Sequence, residues 1–225
     1  MTDFDYSQYL GHLNEFERLN APDNLFLEGD SNLLLKGVRV SVVGSRKPTE
    51  SGIQRAIILT KSLIKHNIIV VSGLAEGIDT VAHQTTISEK GKTIAVLGTP
   101  LNQVYPAKNK NLLEEIKKNH LAISQFPENY PVQKQNFPIR NRTMALISDA
   151  TFIVEASENS GTRHQGWEAL RLGRLVFILQ NIIDNPLLSW PKEMLRYGAQ
   201  VLTREEMDDI LDNIPSLTSS FDFAF

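Results

Sequence analysis

Short apolar runs and amphipathic stretches alternate along the chain, and their order predicts its elements. Residues 38–43 are rich in β-branched side chains and almost uncharged, as a strand buried on both faces of a parallel sheet should be. The run stops at Gly44. Gly44, Ser45 and Arg46 make a tight turn, and Thr49 or Ser51 can cap a helix beginning near Glu50. Further buried strands are predicted at residues 68–72, 93–97, 121–124, 151–154 and 175–179, with helices at about 79–89, 109–119, from Pro138 onward, and 162–172. Strands alternating with helices through short glycine turns predict an α/β fold, a doubly wound, mostly parallel sheet with helices on both faces. Near the N-terminus, Tyr6, Leu10, Leu13, Phe16 and Leu19 fall at helical spacing, which predicts one amphipathic helix over residues 4–20 followed by a connector over 21–36. The chain thus divides into an N-terminal helical extension (1–30), a main domain (31–215) and a C-terminal tail or linker (216–225).

Composition narrows the function classes. A chain of 225 residues without cysteine has no thiolate nucleophile, no disulfide and no sulfur-ligated zinc. No apolar run approaches the ~18–20 residues that span a bilayer, and the first ten residues are acidic where a signal peptide would be basic, so a cytoplasmic protein is expected. The net charge of −3 hides an uneven distribution. Residues 1–30 carry seven acids against one Arg, and residues 203–225 carry six against one, which leaves the middle at +8. Acidic ends around a basic centre fit a polyanionic partner met by one face. Residues 187–190, Met194, Leu195 and the apolar positions of 207–214 are candidates for an exposed apolar patch through which two copies could pair.

In a doubly wound sheet, ligands bind beyond the carboxyl ends of the strands, where the turns at Gly44, Gly73 and Gly98 should gather. The turn after residue 43 joins a strand to a helix start, so its free N–H groups and the helix dipole suit a phosphate, and Arg46 adds a fork of donors. After the fourth predicted strand, residues 125–143 hold three prolines, three aromatics and three cations against one acid, Glu128. A helix should not start there before about Pro138, so 125–137 is expected to be a long exposed loop. Interleaved cations and rings favour nucleic acid, because bases stack on rings while Lys and Arg hold phosphates. Arg140, Asn141 and Arg142 fall at the positive end of the next helix, where cations are unfavourable unless an anion is near. Ser160, Gly161 and Thr162 open the following helix and can either cap it or donate to a phosphate.

The combination resembles the DprA (Smf) family, the DNA-processing protein A of bacterial natural transformation. The resemblance rests on GSR at 44–46, SGLAEGIDTVAH at 72–83, GKTIAVLGTPLNQVYPAKN at 91–109, FPIRNRTMALIS at 137–148 and VEASENSGTRHQGWEALRLGR at 154–174. It implies an extended Rossmann-like domain that binds and protects single-stranded DNA with little sequence preference, works as a homodimer and helps load a RecA-type recombinase. It implies no catalytic residue, no metal and no cofactor. Carried onto this chain, it implies that Gly44, Ser45 and Arg46 hold a phosphate, with Gly73 on the same edge. Lys134, Arg140, Asn141 and Arg142 would line the same pocket, Phe137 would stack a base, and Ser160, Gly161 and Thr162 would close the far side. Asp79 and His83 are expected to cap and bridge turns, and His164 and Trp167 to be packed between helix and sheet. Pro100 and Asn102 stand where the family has Gly and Asp, RHQGWEAL departs from its Thr-Ala-rich pattern, and residues 216–225 read as a linker where the family commonly adds a small winged-helix-like domain.

The competing class is a nucleotide phosphoribohydrolase resembling the LOG family, whose PGGxGT turn holds a phosphate and whose helix Arg and Glu carry the chemistry. Here the turn reads ENSGT, followed by Arg163 and Glu168, without the proline and second glycine. The first turn is not GxGxxG, which argues against a dehydrogenase, and no Walker A, zinc-ligand or G-x-S-x-G spacing occurs.

Overall fold

The computed structural model describes residues 5–10, 13–158 and 160–217. Its centre is a sheet of eight strands: β1 (Phe26–Gly29), β2 (Arg39–Gly44), β3 (Ile69–Ser72), β4 (Thr93–Leu97), β5 (Leu121–Ser124), β6 (Ala150–Glu155), β7 (Leu175–Leu179) and β8 (Gln200–Leu202). They lie in the order β1-β5-β4-β3-β2-β6-β7-β8. All neighbours are parallel except β1, which runs antiparallel to β5. The chain therefore builds outward from β2 through β5, then returns to β2 and builds the other way. The switch point lies between β2 and β6.

Ten helices are described: α1 (Tyr6–Leu10), α2 (Glu15–Asn20), α3 (Glu50–Lys65), α4 (Ile78–Ser88), α5 (Lys110–Asn119), α6 (Asn136–Ile147), α7 (Gly161–Arg171), α8 (Gln180–Ile183), α9 (Trp190–Arg196) and α10 (Met207–Asp212). The buried strands send alternate side chains to opposite faces. Val40, Val42, Val70 and Phe152 pack against Ala56, Leu59 and Leu63 of α3 and Ala82 of α4. Val43, Val71, Val96 and Ile153 pack on the other face with Met144, Leu146 and Ile147 of α6 and Ala169 of α7. The doubly wound, mostly parallel sheet with helices on both faces is the architecture expected from the sequence pattern.

Three expectations need correction. The predicted single helix over 4–20 is two, because Asn14 forms a capping box with Glu17 and restarts the chain as α2. Leu10, Leu13 and Glu17 are buried, but Phe16 and Leu19 face solvent. Glu17 meets Arg174 at 2.5 Å, which ties this segment to the turn before β7. The connector contains an edge strand, β1, paired with β5 from Phe26↔Ser124 to Gly29↔Leu121. The apolar patch proposed for pairing of two copies is largely core: Trp190 and Met194 are fully buried and Leu188, Leu211 and Ile214 nearly so, leaving Leu187 exposed at 82%. Residues 218–225 of the expected tail lie outside the described residues.

Candidate nucleic-acid interface

A cavity of about 630 Å³ opens at the switch point. The end of β2 and the turn after it supply Gly44, Ser45, Arg46 and Lys47; the turn before α4 supplies Ala75 and the first turn of α4 supplies Asp79; the first turns of α6 supply Phe137, Arg140 and Asn141; and the start of α7 supplies Ser160, Gly161, Thr162, His164 and Gln165. Tyr105 and Lys134 reach in from loops. Arg46, Lys47 and Lys134 are exposed cations, and Asp79 is the one carboxylate lining the cavity among the described residues.

The β2 turn is held by backbone bonds. The Ser45 carbonyl accepts from Ile78 N–H at 3.1 Å, and Ser45 Oγ accepts from Lys47 N–H at 3.1 Å, which leaves the hydroxyl proton free to donate. The helix start behind it is already satisfied. Thr49 Oγ1 accepts from Gly52 N–H at 3.0 Å and donates to Glu155 Oε2 at 2.6 Å, Thr49 N–H donates to Glu155 Oε1 at 2.9 Å, and Arg55 Nη2 lies 3.3 Å from the same carboxylate. Glu155, at the end of β6, is thus the anion at the start of α3. The expectation of a phosphate on that helix end is corrected: the dipole and the cap are used internally.

The start of α7 is the reverse case. Among the described residues no side chain caps it, Ser160 Oγ is buried without a partner, and nothing lies within 4 Å of a Cβ added at Gly161. Gln165, one turn on, is 1% exposed, and neither its amide oxygen nor its nitrogen has a partner among the described residues. Of the two readings of Ser160, Gly161 and Thr162, donors turned toward the cavity fit the geometry and a capped helix does not.

The arginines of α6 part company. Arg140 is 4% exposed, donates through Nη1 to the Val96 carbonyl at 2.8 Å, and lies against Gly73, where a Cβ would come within 1.7 Å of Nη1. Gly73 therefore makes room for Arg140; it lines not this cavity but a smaller one beside it, together with Arg46, Lys47 and Tyr105. Burial pushes the Arg140 guanidinium below its ordinary range, with the Asp79 charge opposing the shift. Burial likewise pushes the Asp79 carboxyl up, with Arg140 drawing it back and the N–H groups of Gly73 and Ala75 donating to Oδ2. Asp79 is structural, as expected. Arg142 does not line the cavity: it points to the outer side of α7 and pairs with Glu168 at 3.4 Å. Two residues apart on a helix project about 200° apart, so Arg140 and Arg142 cannot share a pocket.

His83 is buried beneath this layer. Burial pushes its pKa down to about 3. Thr93 Oγ1 gives its proton to the Val70 carbonyl, so the 2.7 Å contact with His83 Nδ1 is a bond donated by the neutral ring. His164 is exposed at the cavity rim, and Trp167 is half-buried beside Tyr197. The loop over 125–135 is exposed between Glu128 and Gln135, but Phe126 is buried, and α6 starts at Asn136, whose side chain is buried and donates to the Pro131 carbonyl at 3.0 Å. Tyr105, Lys47 and Gln165 line the site without having been singled out. Lys47 adjoins Arg46, and Gln165 lies four residues after Gly161, a spacing that puts both on one helix face; Tyr105 carried no local signal. Among the described residues, no group of three or more His, Asp or Glu could hold a metal, and no helix is long and apolar enough to cross a membrane.

The fold and this cavity together define a Rossmann-like α/β protein with a cationic, aromatic-lined cavity at its topological switch point. The chain belongs to the DNA recombination-mediator protein A family, whose profile matches residues 1–215. It is 35% identical over 196 residues to DNA processing protein DprA of Bacillus subtilis, covering 87% of this chain and 65% of that protein. It is 36% identical over 187 residues to DprA of Streptococcus pneumoniae, covering 83% and 66%. The chain thus spans about two thirds or less of the length of these relatives. The X-ray structure of the S. pneumoniae protein superposes with a TM-score of 0.78 at 32% identity over 90% of this chain and 72% of that one. DNA processing protein A of Helicobacter pylori shares the fold, with a TM-score of 0.77 at 24% identity over 91% and 95%.

Proposed function

We propose that this chain binds single-stranded DNA by its phosphates in the switch-point cavity, with little sequence preference, and shields it. On this reading, it acts in the cytoplasm as a homodimer that helps load a RecA-type recombinase during natural transformation. The observation that carries the reading is the set of exposed cations Arg46, Lys47 and Lys134 facing an uncapped α7 start across a cavity that also holds aromatic rings. Phosphate contacts position a strand without reading it. The family's description as recombination mediators and the single-stranded DNA binding mode described for the H. pylori relative support the same reading. The nucleotide-hydrolase alternative is disfavoured by one observation: Glu168 lies outside the cavity, paired with Arg142 and Arg171, while the buried group that faces in from α7 is the amide of Gln165.

The test is a fluorescence-anisotropy titration of a labelled single strand at several salt concentrations with the matching duplex as competitor. Three phosphate contacts on a single strand give a slope of roughly −2 in log K against log salt. Arg46→Ala should weaken all sequences alike and flatten that slope by about 0.7. Unchanged affinity and slope in Arg46→Ala would remove the phosphate role of the β2 turn, and no binding at low salt would remove the DNA reading.

A further inference from the structure

Phe137 has little ring face to offer a base. The Arg46 guanidinium carbon sits over it at 5.6 Å from the ring centroid. The backbone at the end of β4 presses on its edge, where a Cβ added at Gly98 would come within 2.6 Å of Cδ1. Tyr105 closes a further side, its ring centroid 5.3 Å away and tilted by 52°. Phe137 is half-buried among these three.

Tyr105 differs in exposure. Both rings border the main cavity and a smaller one of about 180 Å³, as Arg46 and Lys47 do, but Tyr105 is 53% exposed where Phe137 is half-buried. An exposed ring flanked by cations, with its inner side braced by another ring, is the arrangement that lets a strand stack a base while its phosphates meet the cations on either side.

We propose that Tyr105 is the base-stacking platform of the site and that Phe137 is a positioning residue, holding the Tyr105 ring and the Arg46 guanidinium in place for one base and its phosphate. This rests on the single-strand reading above. It assigns the two aromatics separable energetic roles: Tyr105 acts only on strands that carry bases, whereas Phe137 acts through Arg46 on any strand that carries phosphates.

The experiment titrates the chain with two labelled strands of equal charge, a base-bearing strand of about 30 nucleotides and an abasic strand of the same length, at low salt. Tyr105→Ala should weaken the base-bearing strand by roughly 5- to 100-fold and leave the abasic strand within about twofold. Tyr105→Phe should bind like the parent, and the fluorescence of Tyr105→Trp should be quenched by the base-bearing strand alone. Phe137→Leu should weaken both strands, as should Arg46→Ala. The proposal is overturned if Tyr105→Ala leaves both strands unchanged or weakens both equally, or if Phe137→Leu weakens the base-bearing strand alone. Failure of the parent chain to bind either strand is a different result, which overturns the single-strand reading and this inference with it.

Discussion

Two helices begin at the carboxyl edge of the sheet on either side of the switch point, and they treat their free N–H groups in opposite ways. The start of α3 is closed by Thr49 and by Glu155, which reaches over from β6. Among the described residues, the start of α7 has no side-chain cap, an open Gly161, and buried polar atoms on Ser160 and Gln165 that have no partner. Every helix start attracts an anion, but it becomes a ligand site only where the fold has not supplied an anion of its own. At α3 the carboxylate meets the helix start from within the fold; at α7 no side chain does so among the described residues, which is why the proposed phosphate is placed there.

The comparison breaks most visibly at Glu155. Glu155→Ala removes the acceptor of two Thr49 bonds and the partner of Arg55 and exposes the dipole of a 16-residue helix. Charge-assisted bonds of this kind are worth about 1.5–3 kcal/mol, so urea denaturation should show a loss near 2 kcal/mol with the m-value unchanged. Affinity for single-stranded DNA, measured where the variant is folded, should hold or rise slightly. A tenfold loss of affinity at unchanged stability would mean that the α3 start, and not the α7 start, meets the ligand.

Ser160→Ala probes the other half. Its hydroxyl has no partner among the described residues, so removing it should leave the denaturation midpoint unchanged or raise it slightly. Affinity should fall by roughly tenfold, the value of one hydroxyl bond to a charged phosphate. Lower stability with unaltered affinity would make Ser160 a structural residue and remove α7 from the site.

The contrast between the two helix starts was only half legible in the sequence. The six central strands announce themselves because apolar runs between glycine turns have few other readings, and the switch-point rule then locates the cavity edge before any side chain is placed. The Glu155 cap was out of reach, because it joins residues 106 apart in sequence and an acid at a strand end has no local signature. The edge strands β1 and β8 are partly exposed and read FLEG and QVL, so neither makes the apolar run that marks the equally short but fully buried β3 and β5. The burial of Arg140 follows from a backbone carbonyl on β4, a partner that no sequence pattern displays.

Arg142 offers the smallest effect and the finest discrimination. The run RNR reads as two cations for one pocket, yet helical geometry sends Arg140 to the sheet and Arg142 to solvent beside Glu168 and Arg171. The Arg142–Glu168 pair is half-exposed at the Arg, where such pairs contribute about 0–1 kcal/mol, and Arg171 remains beside Glu168 when Arg142 is removed. Arg142→Ala should therefore change affinity by less than about twofold and leave the salt slope where it stands, since no phosphate contact is lost. A tenfold loss with a flatter slope would show that Arg142 leaves Glu168 when DNA binds and swings round the α7 start. In that case the donors at Ser160 and Gly161 would share their phosphate with a cation that the free protein keeps on its outer face.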